Sequence, residues 1–230
     1  GETWTAISED LTRGAREGNV PFGTISTLDE SEEHFGLIWA GTDDGNLWIT
    51  TDNGKNWKNV IKRFKKLPSP AWVSRVEPSH FSENTVYVTF DRHRSDDYAP
   101  YIYRSDDLGK TWVSLRANLP KTGYLFVVRE DPVNRDLLYA GSEFGLFFSF
   151  DRGKRWIPYK KHFPTVAVRD IAVHPRDNDL IIGTHGRGAF VIDDISPLQR
   201  LSAGKPWAGF RLFPVRTGLV YFPRKEFRLY

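Results

Sequence analysis

Glu77, Glu130, Asp131 and Asp170 lie within or at the ends of apolar runs. Hydrolysis of a glycosidic bond needs two carboxylates at a set separation, one of them with a raised pKa. The same four residues also read as strand-end turn chemistry, since Glu77 and Asp131 each precede a proline. Two loops mix other reactive types. "DRHRSDDY" (91–98) joins Asp, His and Arg, a set suited to an acidic or sugar ligand. "GTHGRG" (183–188) presents His185 and Arg187 between glycines that permit close backbone approach. It lacks the phosphate-binding G-x-G-x-x-G and Walker spacings. No His/Asp/Glu set has metal-ligand spacing, and no nucleophile elbow accompanies a Ser-His-Asp set. The sequence therefore assigns no catalytic residue and calls for no metal or cofactor.

Three stretches share one pattern, Ser/Thr-x-Asp-x-Gly-x-x-Trp: "TTDNGKNW", "SDDLGKTW" and "SFDRGKRW". Their elements are Thr50, Asp52, Gly54, Trp57; Ser105, Asp107, Gly109, Trp112; and Ser149, Asp151, Gly153, Trp156. "GETW" at 1–4 is the second half of a fourth copy. The repetition makes the motif architecture rather than a site. Its carboxylate is expected to accept N–H groups of its own turn, its glycine to take positive φ, and its Trp to pack between adjoining sheets.

The Trp residues recur every 40 to 55 residues or so, the size of a propeller blade. Each unit reads as four short strands with turn signals between them. Blades are expected at approximately 23–61, 72–116, 124–159 and 167–194, within a propeller region spanning 9–195. Residues 1–8 are expected to be the last strand of a preceding blade. Residues 196–230 form an extension, with "FRLFPVR" (210–216) a candidate fourth strand for the last blade. The fold class is all-β, a partial β-propeller of four-stranded antiparallel blades. Only 8–16 could hold a helical turn or two.

The 230 residues are 40% hydrophobic and 27% charged, ordinary for a globular chain. There is no apolar run of 18 residues, and hence no transmembrane helix is expected. The absence of Cys rules out disulfides. A net charge of +3 gives no argument for nucleic acid. The basic residues nevertheless segregate. In a four-stranded blade the motif turns share one face, and the second-to-third turns and between-blade loops share the other. That second face collects Lys62, Arg63, Lys65, Lys66, Arg92, His93, Arg94, Lys160, Lys161, His185 and Arg187. Asp43, Asp44, Asp96, Asp97 and Glu143 dilute the charge there. Such a face favours an acidic protein surface or an anionic glycan.

The repeated motif, with "WVSRVEPSHF" (72–81), "REDPVNRDLLYAGSEFGLFFSFDRGKRW" (129–156) and "HPRDNDLIIGTHGRGAFVIDDISPLQ" (174–199), resembles the Asp-box (bacterial neuraminidase repeat) propellers. Within them it looks most like the bacterial sortilin-type, glycosyl-hydrolase-like repeat proteins. The resemblance covers nearly all of 1–195 and implies the C-terminal part of a larger propeller. It implies a non-catalytic binding or scaffold module with a protein partner, in a periplasmic, extracellular or membrane-peripheral bacterial setting. The alternatives are part of a sialidase- or xyloglucanase-like glycoside hydrolase, acting only with the rest of the ring, and a photosystem-assembly-factor-like propeller. The arginine triad and Tyr/Glu pair of sialidases have no counterpart here.

Overall fold

The computed structural model describes residues 3–15, 21–201 and 212–214. Period-2 apolar runs bounded by Gly, Pro and Asp build four antiparallel meanders, each the size of one repeat. The first comprises β1 (Ile25–Glu30), β2 (Ile38–Thr42), β3 (Leu47–Thr50) and β4 (Lys58–Asn59). The second comprises β5 (Trp72–Pro78), β6 (Val86–Arg92), β7 (Asp97–Ser105) and β8 (Val113–Ser114). The third comprises β9 (Leu125–Glu130), β10 (Leu138–Ser142), β11 (Gly145–Ser149) and β12 (Ile157–Tyr159). The fourth has three strands, β13 (Val168–Val173), β14 (Leu180–Thr184) and β15 (Ala189–Ile192), followed by a helical turn, α1 (Ser196–Gln199).

The sheets stack face to face, and one apolar layer fills each gap. Trp39, Ile49 and Phe64 meet Val73, Val76 and Val88 between the first two blades. Tyr87, Ile102 and Leu115 meet Leu125, Val128 and Trp156 between the second and third. Tyr139, Leu146 and Phe148 meet Val168, Ile171 and Leu180 between the third and fourth. Alternate residues of β6 and β10 thus serve opposite gaps, which is why β10 is buried along its whole length. Each such side chain contributes about 1.5–3 kcal/mol relative to exposure. The molecule is a partial β-propeller.

Close stacking explains two glycines. A side chain at Gly41 would overlap Val73 of the next blade, and a Cβ at Gly141 would sit 2.6 Å from Val168 Cγ1. At the corresponding place in the last blade, a Cβ on Gly183 would meet, among the described residues, its own blade's Asp170 at 3.7 Å.

Residues 3–8 carry no strand, and of the stretch 8–16 the described residues 8–15 hold no helix. Of the candidate fourth strand at 210–216, only 212–214 are described, and they are not a strand; the rest lies outside the described residues, as does the tail beyond 220.

Candidate functional site

The motif turns are closed locally. Asp107 Oδ1 accepts from Thr111 N at 2.8 Å and from Ser105 Oγ at 2.7 Å, while Ser105 Oγ accepts from Gly109 N at 2.8 Å. Asp52 with Thr50, and Asp151 with Ser149, repeat this within 0.2 Å. Gly54, Gly109 and Gly153 all have positive φ. Hydrogen bonding to Asn56 holds Asp52 at about 2, and hydrogen bonds hold Asp107 there against its slight burial. In each turn the Oδ1 of the acid is taken up internally, and in Asp52 and Asp107 the Oδ2 as well, by Asn56 and Thr111.

The Trp residues differ by junction. Trp156 is fully buried and its indole N–H donates to Leu115 O at 2.8 Å. Trp57 donates to Ile7 O, also at 2.8 Å, but is only half-buried. Trp112 stacks on Phe64 with centroids 4.2 Å apart, meets Trp39 edge-on, and its N–H has no partner.

The inner strands β1, β5, β9 and β13 bring a charged cluster to the axis, beside a cavity of about 660 Å³. Register places Asp29, Glu77, Arg129 and Ala172 at one level, opposite Trp39, Tyr87, Tyr139 and Ile181 of the second strands. Arg129 contacts Glu77 directly, lies 3.9 Å from Asp29 and 3.6 Å from Asp170, and donates to Ile171 O at 2.9 Å. Arg75 reaches Asp170 at 2.7 Å. His80 Nδ1 lies 3.0 Å from Glu32, and its Nε2 lies 3.8 Å from Glu77. One guanidinium thus ties three other blades to its own. Burial pushes Glu77 up to about 7 against the pull of Arg129. Burial also raises Asp29. His80 is depressed by burial, but Glu32 and Glu77 outweigh that and raise it.

Of the four carboxylates singled out in the sequence, Glu77 and Asp170 belong to this cluster. Glu130 lines the same cavity, yet its carboxylate accepts from Ser79 Oγ, His80 N and Tyr87 Oη at 2.6–2.9 Å. Asp131 closes its own turn through Val133 N and Asn134 N, and takes Tyr139 Oη at 2.7 Å. Arg75, Arg129 and His80 escaped sequence reasoning. The available signal was a lone Arg inside two inner-strand runs, "VSRVEP" and "FVVRE".

The loop "DRHRSDDY" is satisfied within itself and its neighbours. Arg92 pairs with Asp97 at 3.0 Å and donates to Pro70 O, and His93 bonds Asp91 and stacks on Tyr124. Arg94 lies 4.2 Å over the Trp72 ring. Arg63 donates to Gly109 O at 2.9 Å, so it locks the first between-blade loop onto the next motif turn. Lys62, Lys65, Lys66, Lys160, Lys161, His185 and Arg187 are exposed. Among the described residues no cluster of three or more His, Asp or Glu could hold a metal ion, and no helix is long and apolar enough to cross a membrane.

No protein-family model matches the chain, and no curated protein sequence matches it. Solved structures do. The GH74 xyloglucanase from Xanthomonas campestris is similar over 85% of this chain and 32% of its own, with TM-score 0.62 and 18% identity. YCF48 bound to D1 peptide is similar over 74% of this chain and 52% of its own, with TM-score 0.54 and 16% identity. The extracellular domain of the one-component system BT4673 from B. thetaiotaomicron is similar over 81% of this chain and 23% of its own, with TM-score 0.56 and 16% identity. The chain spans between 23% and 52% of the length of these propellers. At such identities the likeness is one of fold.

Proposed function

We propose that this chain is a non-catalytic binding module, a portion of an Asp-box propeller of the sortilin-type kind, working in a bacterial envelope or extracellular setting. The partner is an acidic protein surface or an anionic glycan. The observation that carries the reading is the set of exposed Lys62, Lys65, Lys66, Lys160 and Lys161, on between-blade loops, with no ion pair among the described residues. Arg63, Arg92 and Arg94 of the same region are held by Gly109, by Pro70 and Asp97, and by Trp72, which leaves the lysines and Arg187 as the solvent-facing charge. Charge of one sign on one face draws an anionic partner by an attraction screened within about 10 Å at 0.1 M salt. Changing Lys62, Lys65 and Lys66 to Glu is expected to weaken binding of a partner captured from an envelope fraction and to flatten its salt dependence. Equal losses from reversals on the motif-turn face would sink the reading.

A glycosidase reading has one observation in its favour, a carboxyl at Glu77 that holds its proton near neutral pH beside a cavity. Against it, Glu77 is 3% exposed and its oxygens are taken by Arg129 and by the N–H of Glu130. Hydrolysis of a β-glucan by this chain, lost in Glu77→Gln, would favour the enzyme.

A further inference from the structure

We infer that a small pocket between the first two blades, on the loop face, is a sugar-binding subsite, so that the anionic partner of that face is a glycan. The inference rests on the reading of the loop face given above and narrows it.

The pocket holds about 210 Å³. Asp43 of the first blade lines it, together with Pro70, Trp72, Asp91, Arg94 and Ser95 of the second. Its volume falls below the range of drug-sized ligands, about 300–1,000 Å³, and suits a single ring. Most of its polar wall comes from the stretch "DRHRSDDY".

Two features of this wall are unused by the fold. The Trp72 indole N–H is buried and has no hydrogen-bond partner, whereas a buried indole N–H usually finds an acceptor. Arg94 is exposed, lies 4.2 Å over the Trp72 ring, and makes no hydrogen bond or ion pair among the described residues. Its neighbours are fixed, Arg92 by Asp97 and Pro70 O, and Asp91 by His93 at 2.7 Å. Arg94 is held by the ring alone. It is therefore the part of the wall free to swing onto a ligand and uncover the indole N–H.

The mixture of donors and acceptors sets the ligand class. Trp72 Nε1 and Arg94 only donate, the ionised Asp91 only accepts, and Ser95 does either. Asp91 is 6% exposed, so its position is fixed by the fold. An Asp or Glu side chain of a partner protein brings acceptors alone and would stand against Asp91. The hydroxyls of a sugar donate to Asp91 and accept from Trp72 and Arg94. The charge of the ligand is met next door. Pro70 lines this pocket, while Pro68, Ser69 and Ala71 line a second, of about 360 Å³, that includes the exposed Arg13 and Lys62. A carboxylate or sulfate on the adjoining sugar falls beside these cations.

Each indole N–H gives its own NMR signal, and Trp72→Phe identifies that of Trp72. Titration with tetragalacturonate or with a chondroitin sulfate tetrasaccharide is expected to shift this signal; which sugar does so tells carboxylate from sulfate. Trp72→Phe is expected to weaken binding about threefold to tenfold. Arg94→Gln, at an exposed loop residue, is expected to do the same and keeps the test decisive should Trp72→Phe fail to fold. Trp112→Phe is the control. Its indole N–H also lacks a partner, but it packs against Phe64 and Trp39 in the core, and binding should not change. Binding that leaves the Trp72 signal unmoved, or that survives both Trp72→Phe and Arg94→Gln, overturns the inference. So does a lack of binding by both sugars. If octaglutamate binds instead, and reversal of Lys62, Lys65 and Lys66 weakens it, the sugar subsite falls while the reading of the loop face stands.

Discussion

Trp57 donates its indole N–H to the backbone carbonyl of Ile7 across 2.8 Å, the same bond at the same distance as that from Trp156 to Leu115. The two junctions differ only in what surrounds the ring. Trp156 is covered by two blades, whereas Trp57 has a blade on one side and a bare segment on the other. Trp156→Ala is accordingly expected to cost about 3–5 kcal/mol, and Trp57→Ala clearly less. Urea unfolding of the two variants measures the difference.

Asp107→Ala removes the acceptor of the Thr111 N–H and the partner of Ser105. A loss of about 1–3 kcal/mol is expected, with binding by the loop face unchanged. The Asp107 carboxyl is held below its ordinary value. Its contribution is therefore present above pH 4 or so and is lost as pH falls toward 2. The variant should show a flatter acid limb, read from melting temperature against pH. Full stability with loss of binding would make the motif a site.

Glu77 has the opposite sign. Its folded pKa of about 7 exceeds the usual 4.5, so the folded chain binds the proton more tightly than the unfolded one. The stability this gives is complete below about pH 4.5 and is lost as pH rises through 7. His80, also raised, acts in the same direction near neutrality. Stability should fall by about 2–3 kcal/mol between pH 5 and pH 8, and Glu77→Gln should remove most of that slope. An unchanged slope in the variant would show that Arg129 keeps Glu77 ionised.

Gly141→Val and Gly183→Val make the same change at equivalent positions. At Gly141 the new side chain would meet Val127, Val168 and the Val168 carbonyl within 2.6–2.8 Å. A loss of about 1–3 kcal/mol or more is expected. At Gly183 a Cβ would have, among the described residues, nothing nearer than 3.7 Å, so the melting temperature should not move. Calorimetry in dilute solution separates the two.

The repeat, the strand order and the motif turns were legible because each rests on contacts within a few residues. Asp107 needs only Ser105 to Thr111, and an alternating apolar run between turn residues needs no distant information to be a strand. Division of the chain into propeller units followed from spacing alone. The axial cluster was not legible in this way. Glu77 and Arg129 are far apart in sequence and meet only because the inner strands of successive blades crowd one axis. Burial there, rather than residue type, raises the Glu77 pKa. The basic loops show the same limit. Sequence placed Arg63, Arg92, His93 and Arg94 together with the lysines, but packing paired the former with Gly109, Asp97, Asp91 and Trp72 and left the latter in solvent. Gly41, Gly141 and Gly183 are alike as letters. Only the stacking of blades decides that two are filled against a neighbour while the third, among the described residues, meets its own blade alone, because close packing is a property of surfaces brought together and not of either strand by itself.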